Sequence, residues 1–379
     1  MIYLDNSATT FPKPEAVYMA MDHFARHSLA NPGRAGHEMA MQSEHILQQA
    51  RHRLNLFFNG QSVDHWIFTL NGTDSLNLAF KGILKPGDHV ITSVIEHNSV
   101  SRPLSALAEQ GVITLDRVGV DEDGTIDPDD INRRIQPNTR IIAINHASNV
   151  LGTVQPIDII GKLASEKGIL FLVDAAQTAG VIPIDVQKNR IDILAMPGHK
   201  GLFAPTGVGI CYVKPGTAIK AWREGGTGGD STTPTQPADF PYFLEGGTPN
   251  VLGIAGLLSG LEYLEKQTLA TIHQHEIELI ANLALRLQEI PSCRIYGHQN
   301  WDKHVSTLSF TLEGLAAVEI GAILDQSFGI AIRPGLHCAP YIHKAMNTFP
   351  EGTVRVSPGF FNNLAEMDTF ISAIREISF

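Results

Sequence analysis

Cysteine is scarce in this chain. Its three cysteines, Cys211, Cys293 and Cys338, are too few and too scattered for a disulfide framework or a CxxC zinc site. A reduced, cytoplasmic setting is therefore expected. Positive charge is also short: 28 Lys and Arg stand against 39 Asp and Glu, a net charge of −11. That balance argues against a nucleic-acid surface and against adhesion to an anionic membrane. Long apolar runs are missing as well. The best candidate for a membrane span, Val251 to Leu264, is too short and is interrupted by glycines and Glu262. The opening Met1-Ile-Tyr-Leu-Asp5 has no basic n-region and no signal-like apolar stretch. The 16 histidines raise the question of metal. His23 and His27 are i,i+4 partners on an expected helix, but no third ligand or carboxylate cluster lies near them in sequence, so no metal site is expected.

What the chain does have is length and alternation. At 379 residues it is expected to form more than one domain. Strand-like runs alternate with helix-like runs between residues 40 and 215. The strands are read at His65 to Leu70, His89 to Val94, Val112 to Leu115, Arg140 to Asn145, Ile169 to Val173, Ile191 to Ala195 and Gly207 to Val213. Most are continuous apolar runs rather than alternating ones, the pattern of strands buried on both faces. An α/β fold with a mostly parallel seven-stranded sheet is predicted, with helices at Ser75 to Lys81, Val100 to Gln110, Pro128 to Arg134 and Pro156 to Lys167. Residues 223–249, rich in Gly, Thr and Pro, read as a long functional loop. One helical pattern is expected from Asn250 to about Leu287. The predicted division is an N-terminal segment 1–14, a large domain 15–250 and a smaller C-terminal α/β domain 251–379.

In open α/β sheets, ligands bind beyond the carboxyl ends of the strands. Gly72 and Thr73 follow the first strand and open a helix, which suits a phosphate, although a plain N-cap explains them as well. His97 follows the second, where a flat imidazole can stack on a planar ligand or simply fill the core. Asn149 lies just past the Asn145 strand end, where it can hydrogen-bond a phenolic oxygen or a substrate carboxylate, or simply shape a turn. Asp174 and Gln177 follow Val173, and His199 and Lys200 follow Ala195. A lysine and an aspartate at neighbouring strand ends suit pyridoxal 5'-phosphate. The amine can condense with the cofactor aldehyde, and the carboxylate can keep the ring nitrogen protonated. That protonated ring is an electron sink for a carbanion at a substrate α-carbon. Lys200 is then both anchor and base.

Further on, Cys338 sits between Pro and Gly residues, next to His337 and near Arg333. A free cysteine is usually a buried small hydrophobe, but this setting is electropositive enough for a thiolate. Arg355 interrupts the apolar run Thr353-Val-Arg-Val-Ser357 and wants a carboxylate, from either an internal partner or an amino-acid substrate.

Taken together, these residues make the chain resemble the cysteine desulfurases of the class V aminotransferase group, which have fold type I of the pyridoxal-phosphate enzymes. The resemblance runs from Tyr3-Leu-Asp-Asn-Ser-Ala-Thr-Thr10 to Arg355. It rests on Asn71-Gly-Thr-Asp-Ser75, Glu96-His97, Ser148-Asn-Val-Leu-Gly-Thr153, Asp174-Ala-Ala-Gln177, Gly198-His-Lys200, Glu245-Gly-Gly-Thr-Pro-Asn250 and the run from Arg333 to Pro340. It implies that Lys200 carries the cofactor, Asp174 pairs with the ring nitrogen, Gln177 contacts the ring hydroxyl and His97 stacks on the ring as a catalytic residue. Thr73 and His199 are implied for the phosphate, with Thr248 reaching over from the second subunit of a homodimer. Arg355 and Asn149 are implied for the substrate carboxylate, near the backbone of Ala8, with Arg34 and His37 at the substrate mouth. Cys338 is implied as the nucleophile that takes the sulfur of L-cysteine as a persulfide, leaving L-alanine. The short run around Cys338 is similar to the branch with a compact catalytic loop, which includes selenocysteine lyases and passes sulfur to an acceptor protein. Selenocysteine or cysteine sulfinate as substrate, or transamination, are the alternatives. Two positions depart from the family pattern. Pro197 stands where a hydroxyl residue usually binds the phosphate, so that seat is either one bond weaker or compensated by Thr73 or Ser75. Pro334-Gly-Leu336 lacks a histidine beside the catalytic loop.

Overall fold

The computed structural model describes residues 1–33, 36–228, 232–297 and 300–378. The strands of the N-terminal part are β1 Ile2–Tyr3, β2 Trp66–Thr69, β3 Asp88–Ser93, β4 Ile113–Val118, β5 Thr139–Asn145, β6 Leu170–Asp174, β7 Ile193–Pro197 and β8 Gly209–Val213. Strands β9 Cys293–Tyr296, β10 Leu308–Leu312, β11 Ile330–Ala331, β12 Arg333–Gly335 and β13 Thr353–Val356 follow. The helices are α1 Glu15–His27, α2 Glu38–Phe57, α3 Gly72–Ile83, α4 Asn98–Glu109, α5 Pro128–Arg134 and α6 Ile157–Glu166. They continue as α7 Val251–Gln267, α8 Leu269–Gln288, α9 Ala317–Phe328, α10 Pro340–Ala345 and α11 Leu364–Ile377.

Seven strands form one sheet in the order β2-β8-β7-β6-β5-β3-β4. Neighbours pair in parallel from β7 through β4, and β8 runs antiparallel to both β7 and β2. Reversal at β8 leaves β2 pointing the same way as β7, so the carboxyl end of β2 joins the other strand ends. The continuous apolar runs are explained by the two faces. In β5, Ile142 and Ile144 enter one core while Ile141 and Ala143 enter another, and β6 divides Phe171 and Val173 from Leu172 in the same way. Cys211 of β8 is fully buried among apolar neighbours, and burial pushes its thiol up to about 12, so it is an inert packing residue.

A four-stranded antiparallel sheet, β12-β13-β10-β9, carries the C-terminal core with α9, α11 and part of α8. The apolar clusters divide within α8, not at residue 250. All of the buried apolar residues of α7, and Ile272 of α8, belong to the large core; Leu279 and the rest of α8 belong to the small one. The predicted single helix from Asn250 is two helices, broken at Thr268 (φ 67°), which caps α8 by accepting from the backbone N–H of Thr271. Strand β1 pairs in parallel with β11, and Leu4 enters the small core. The N-terminal segment is thus docked on the C-terminal part before it crosses to the large one. Among the described residues no helix is long and apolar enough to cross a membrane.

Candidate active site

The carboxyl ends of β2, β3, β5, β6 and β7 surround one cavity. Gly72, Thr73, His97, Asn149, Asp174, Gln177, His199 and Lys200 all line it. Both readings of the first turn of α3 hold at once. Asn71 is the N-cap and accepts from the Asp74 N–H at 2.9 Å, while Gly72 and Thr73 face the cavity. His97 is likewise an N-cap, its Nδ1 lying 3.1 Å from the Ser99 N–H, and also a cavity wall. Pro197 ends β7 and packs against Gly72, where an added Cβ would stand 3.2 Å from the proline Cδ. Of the two hydroxyls expected to compensate for it, Ser75 is committed elsewhere. Its Oγ is fully buried and bonded to Thr69 Oγ1 at 2.7 Å, so Thr73 is the one left at the cavity. Asn145 and Ser99 also line the cavity and were not predicted. Asn145 closes β5 directly beside Asp174, a placement that register alone reveals.

Two observations test whether these residues fit pyridoxal phosphate. First, Asp174 is 2% exposed and has no ion pair among the described residues, its Oδ1 accepting only from the Ala176 N–H at 3.0 Å. Burial raises its carboxyl to about 6, against the opposing Ala176 bond and the Lys200 charge. A buried acid without a cation suits a pyridinium N–H. Second, Asn145 Oδ1, Asn149 Oδ1 and His199 Nδ1 are buried with no hydrogen-bond partner. Orphaned polar atoms lining one cavity call for a polar ligand. Burial, then the Lys200 charge, holds the imidazoles of His97 and His199 down to about 4, so both are neutral. Burial and the nearby Arg355 lower the Lys200 amine to about 8. Close backbone packing keeps Lys200 in place: a Cβ on the following Gly201 would lie 2.4 Å from the Ala179 carbonyl oxygen. The residues fit the cofactor.

Cys338 and Arg355 stand beyond the cavity wall. Arg333 Nη2 lies 3.3 Å from Cys338 Sγ. The Cys338 loop is tied to the large part of the molecule by two bonds. Asn149 Nδ2 donates to the His337 carbonyl at 2.7 Å, and the Asn98 N–H donates to the Cys338 carbonyl at 2.7 Å. Asn98 opens α4 directly after His97, so the thiol is carried to the cavity rim. His337 (φ 49°) and Cys338 (φ 59°) are both left-handed, a strained conformation for residues with side chains. Arg355 is 1% exposed. Its Nη2 pairs with Asp5 Oδ1 at 2.5 Å and its Nη1 donates to the Asn149 carbonyl at 3.0 Å. Asn149 thus already uses one amide N–H on His337 and keeps a second. Gln177 Nε2 donates to the Ser7 carbonyl at 3.2 Å, which sets the Ala8 backbone beside the site.

Two further predicted residues, Thr248 and His37, are not brought to this cavity within one chain. Thr248 is exposed in a separate hollow with Asn31, Arg51 and Glu245. A buried Arg51–Glu245 pair at 2.6 Å pins that loop, and Glu245 also accepts from the Phe68 N–H at 2.7 Å. The expected role of Thr248 is in a partner's site, with which this separation is compatible. His37 is exposed and caps α2, accepting from the Ala40 N–H at 3.2 Å. Arg34 lies outside the described residues. His23 and His27 stack on α1 with ring centroids 4.5 Å apart.

Known proteins resemble this chain in sequence and in fold. The sequence profile of the class-V aminotransferases matches residues 2–370. A probable cysteine desulfurase of Pyrococcus abyssi is 33% identical over 386 residues, covering 100% of this chain and 94% of its own. The apo structure of a cysteine desulfurase from Thermococcus onnurineus NA1 superimposes with a TM-score of 0.94 at 33% identity, covering 99% of this chain and 94% of that one. An Escherichia coli cysteine desulfurase, solved in its S-sulfonic acid form, superimposes with a TM-score of 0.89 at 29% identity, covering 99% and 94%. The chain belongs to the class-V aminotransferase family, and its similarity to cysteine desulfurases extends along its whole length.

Proposed function

We propose that the protein is a pyridoxal-phosphate-dependent cysteine desulfurase that converts L-cysteine to L-alanine and keeps the sulfur as a persulfide on Cys338. The observation that carries this reading is the placement of Cys338. Its loop is bonded to Asn98 and Asn149 at the rim of the cavity that holds Lys200 and Asp174, with the Arg333 guanidinium 3.3 Å from its sulfur.

Thr73 and His199 would hold the phosphate, His97 and Gln177 the ring, and Asp174 the ring nitrogen. When bound, pyridoxal phosphate supplies an electron sink for the carbanion formed at the substrate α-carbon. Arg355 and Asn149 orient the substrate by its carboxylate, next to the Ala8 backbone. His37 and Arg34 belong to the substrate mouth. Lys200, with its amine near neutrality, takes the α-proton and later returns a proton to the product. Cys338, as thiolate beside Arg333, attacks the substrate sulfur. The S–S bond forms as the C–S bond breaks, and alanine leaves once its β-carbon is protonated. The protein works as a homodimer in the cytoplasm, with Thr248 of each chain serving the other chain's phosphate, and passes its sulfur to an acceptor protein.

Cys338→Ala tests the reading. The variant is expected to keep the cofactor's absorbance while losing sulfide release from L-cysteine by about a hundredfold or more. Sulfide release at the unmodified rate would sink the persulfide route and leave transamination or simple lyase chemistry.

A further inference from the structure

We propose that Asp5 is a positioning residue for the carboxylate of the amino-acid substrate, acting through Arg355. This inference rests on Arg355 being the carboxylate receptor. Asp5 follows β1, and its backbone bridges in parallel to Ser357, two residues past Arg355. That bridge carries its carboxylate to Arg355 Nη2, 2.5 Å away, across 350 positions of sequence. The opposite nitrogen, Nη1, is held by the Asn149 carbonyl at 3.0 Å. With both ends gripped, the guanidinium plane cannot turn.

The remaining donor reveals what the grip is for. Arg355 Nε is buried and has no partner. A buried guanidinium N–H without an acceptor costs the full loss of its hydration. It therefore points to an acceptor supplied from outside the chain. Arginine has five N–H groups in a planar fork. Nη2 carries two, so the bond to Asp5 leaves a second N–H on Nη2 for a ligand carboxylate that also takes Nε. Asp5 offsets the arginine charge at the same time. Recognition then depends on the direction of the N–H bonds more than on net attraction, which selects a single carboxylate at a fixed distance from the amine.

The segment that carries Asp5 also sets that distance. The Ser7 carbonyl accepts from Gln177 Nε2 at 3.2 Å. Thr10 Oγ1 donates to the Lys200 carbonyl at 3.1 Å, and Lys13 Nζ donates to the His199 carbonyl at 2.5 Å. One stretch, residues 5–13, thus ties the carboxylate receptor to the backbone of the residue that handles the amine end.

The test compares two ligands on the cofactor-loaded protein by calorimetry: L-alanine, and ethylamine, which lacks the carboxylate. Asp5→Ala is expected to weaken L-alanine by about tenfold or more and to leave ethylamine unchanged. Asp5→Asn, which keeps an acceptor for Nη2, is expected to restore part of the loss. Equal weakening of both ligands, or of neither, overturns the proposal. If Asp5→Ala does not fold, Asp5→Asn decides alone: a loss selective for L-alanine supports the role, and no selective loss refutes it. Neither ligand contains sulfur, so the result stands apart from the fate of the desulfurase reading, which Cys338→Ala tests separately.

Discussion

At the scale of single residues, the site depends on where burial pushes protons. The Lys200 amine falls from its ordinary 10.5 to about 8 because burial and the Arg355 charge both disfavour the ammonium. Only the neutral amine can condense with an aldehyde. Its fraction rises as pH climbs toward about 8 and saturates above it. Uptake of pyridoxal phosphate by the cofactor-free protein should accelerate by about tenfold per pH unit below that point and then level off. Stopped-flow loading measured across pH reads this directly, and a rate still climbing toward 10.5 would contradict it. The residues most legible in the sequence were those at strand ends, such as Thr73, Asp174 and Lys200, because a parallel sheet delivers all its carboxyl ends to one place. Asp5 was not legible as a site residue. Its partner is 350 positions away, and the bridge from Asp5 to Ser357 brings the two together.

At the scale of elements, sequence runs named all seven strands of the large sheet; the inner strands are covered on both faces and have no polar side to interrupt them, whereas the edge strand β4 is only partly buried. The break between α7 and α8 was not legible because it holds no glycine or proline; Thr268 turns the chain by adopting φ 67°, which a threonine does not advertise. The left-handed pair His337 and Cys338 was hidden for the same reason. Helix α7 also proved to belong to the large core, where it packs on α1 and α2. Its Gly260 lies against the stretch that follows Lys200. A Cβ there would stand 2.3 Å from the Leu202 carbonyl oxygen. Gly260→Ala should therefore cost about 1–3 kcal/mol through overpacking, despite the better helix propensity of alanine. Thermal denaturation should show a lower Tm and earlier loss of the cofactor's absorbance; an unchanged Tm would mean that the loop after Lys200 yields freely.

At the scale of the whole molecule, the proposed homodimer completes the site. Thr248 stands exposed in a hollow apart from the cavity that holds Lys200 of its own chain. If it serves the partner's phosphate, mixing two inactive proteins should restore activity. A dimer of one Lys200→Ala chain and one Thr248→Ala chain contains one site with both residues intact. If Thr248 acts within its own chain, no such dimer has an intact site, and mixing restores nothing. Transfer of sulfur to Cys338 can be read from the mass of the protein after exposure to L-cysteine. A mass gain of one sulfur atom is expected, reversible by a thiol reductant and mapping to the peptide that contains Cys338. An unmodified Cys338 in protein that is turning cysteine into alanine would contradict it.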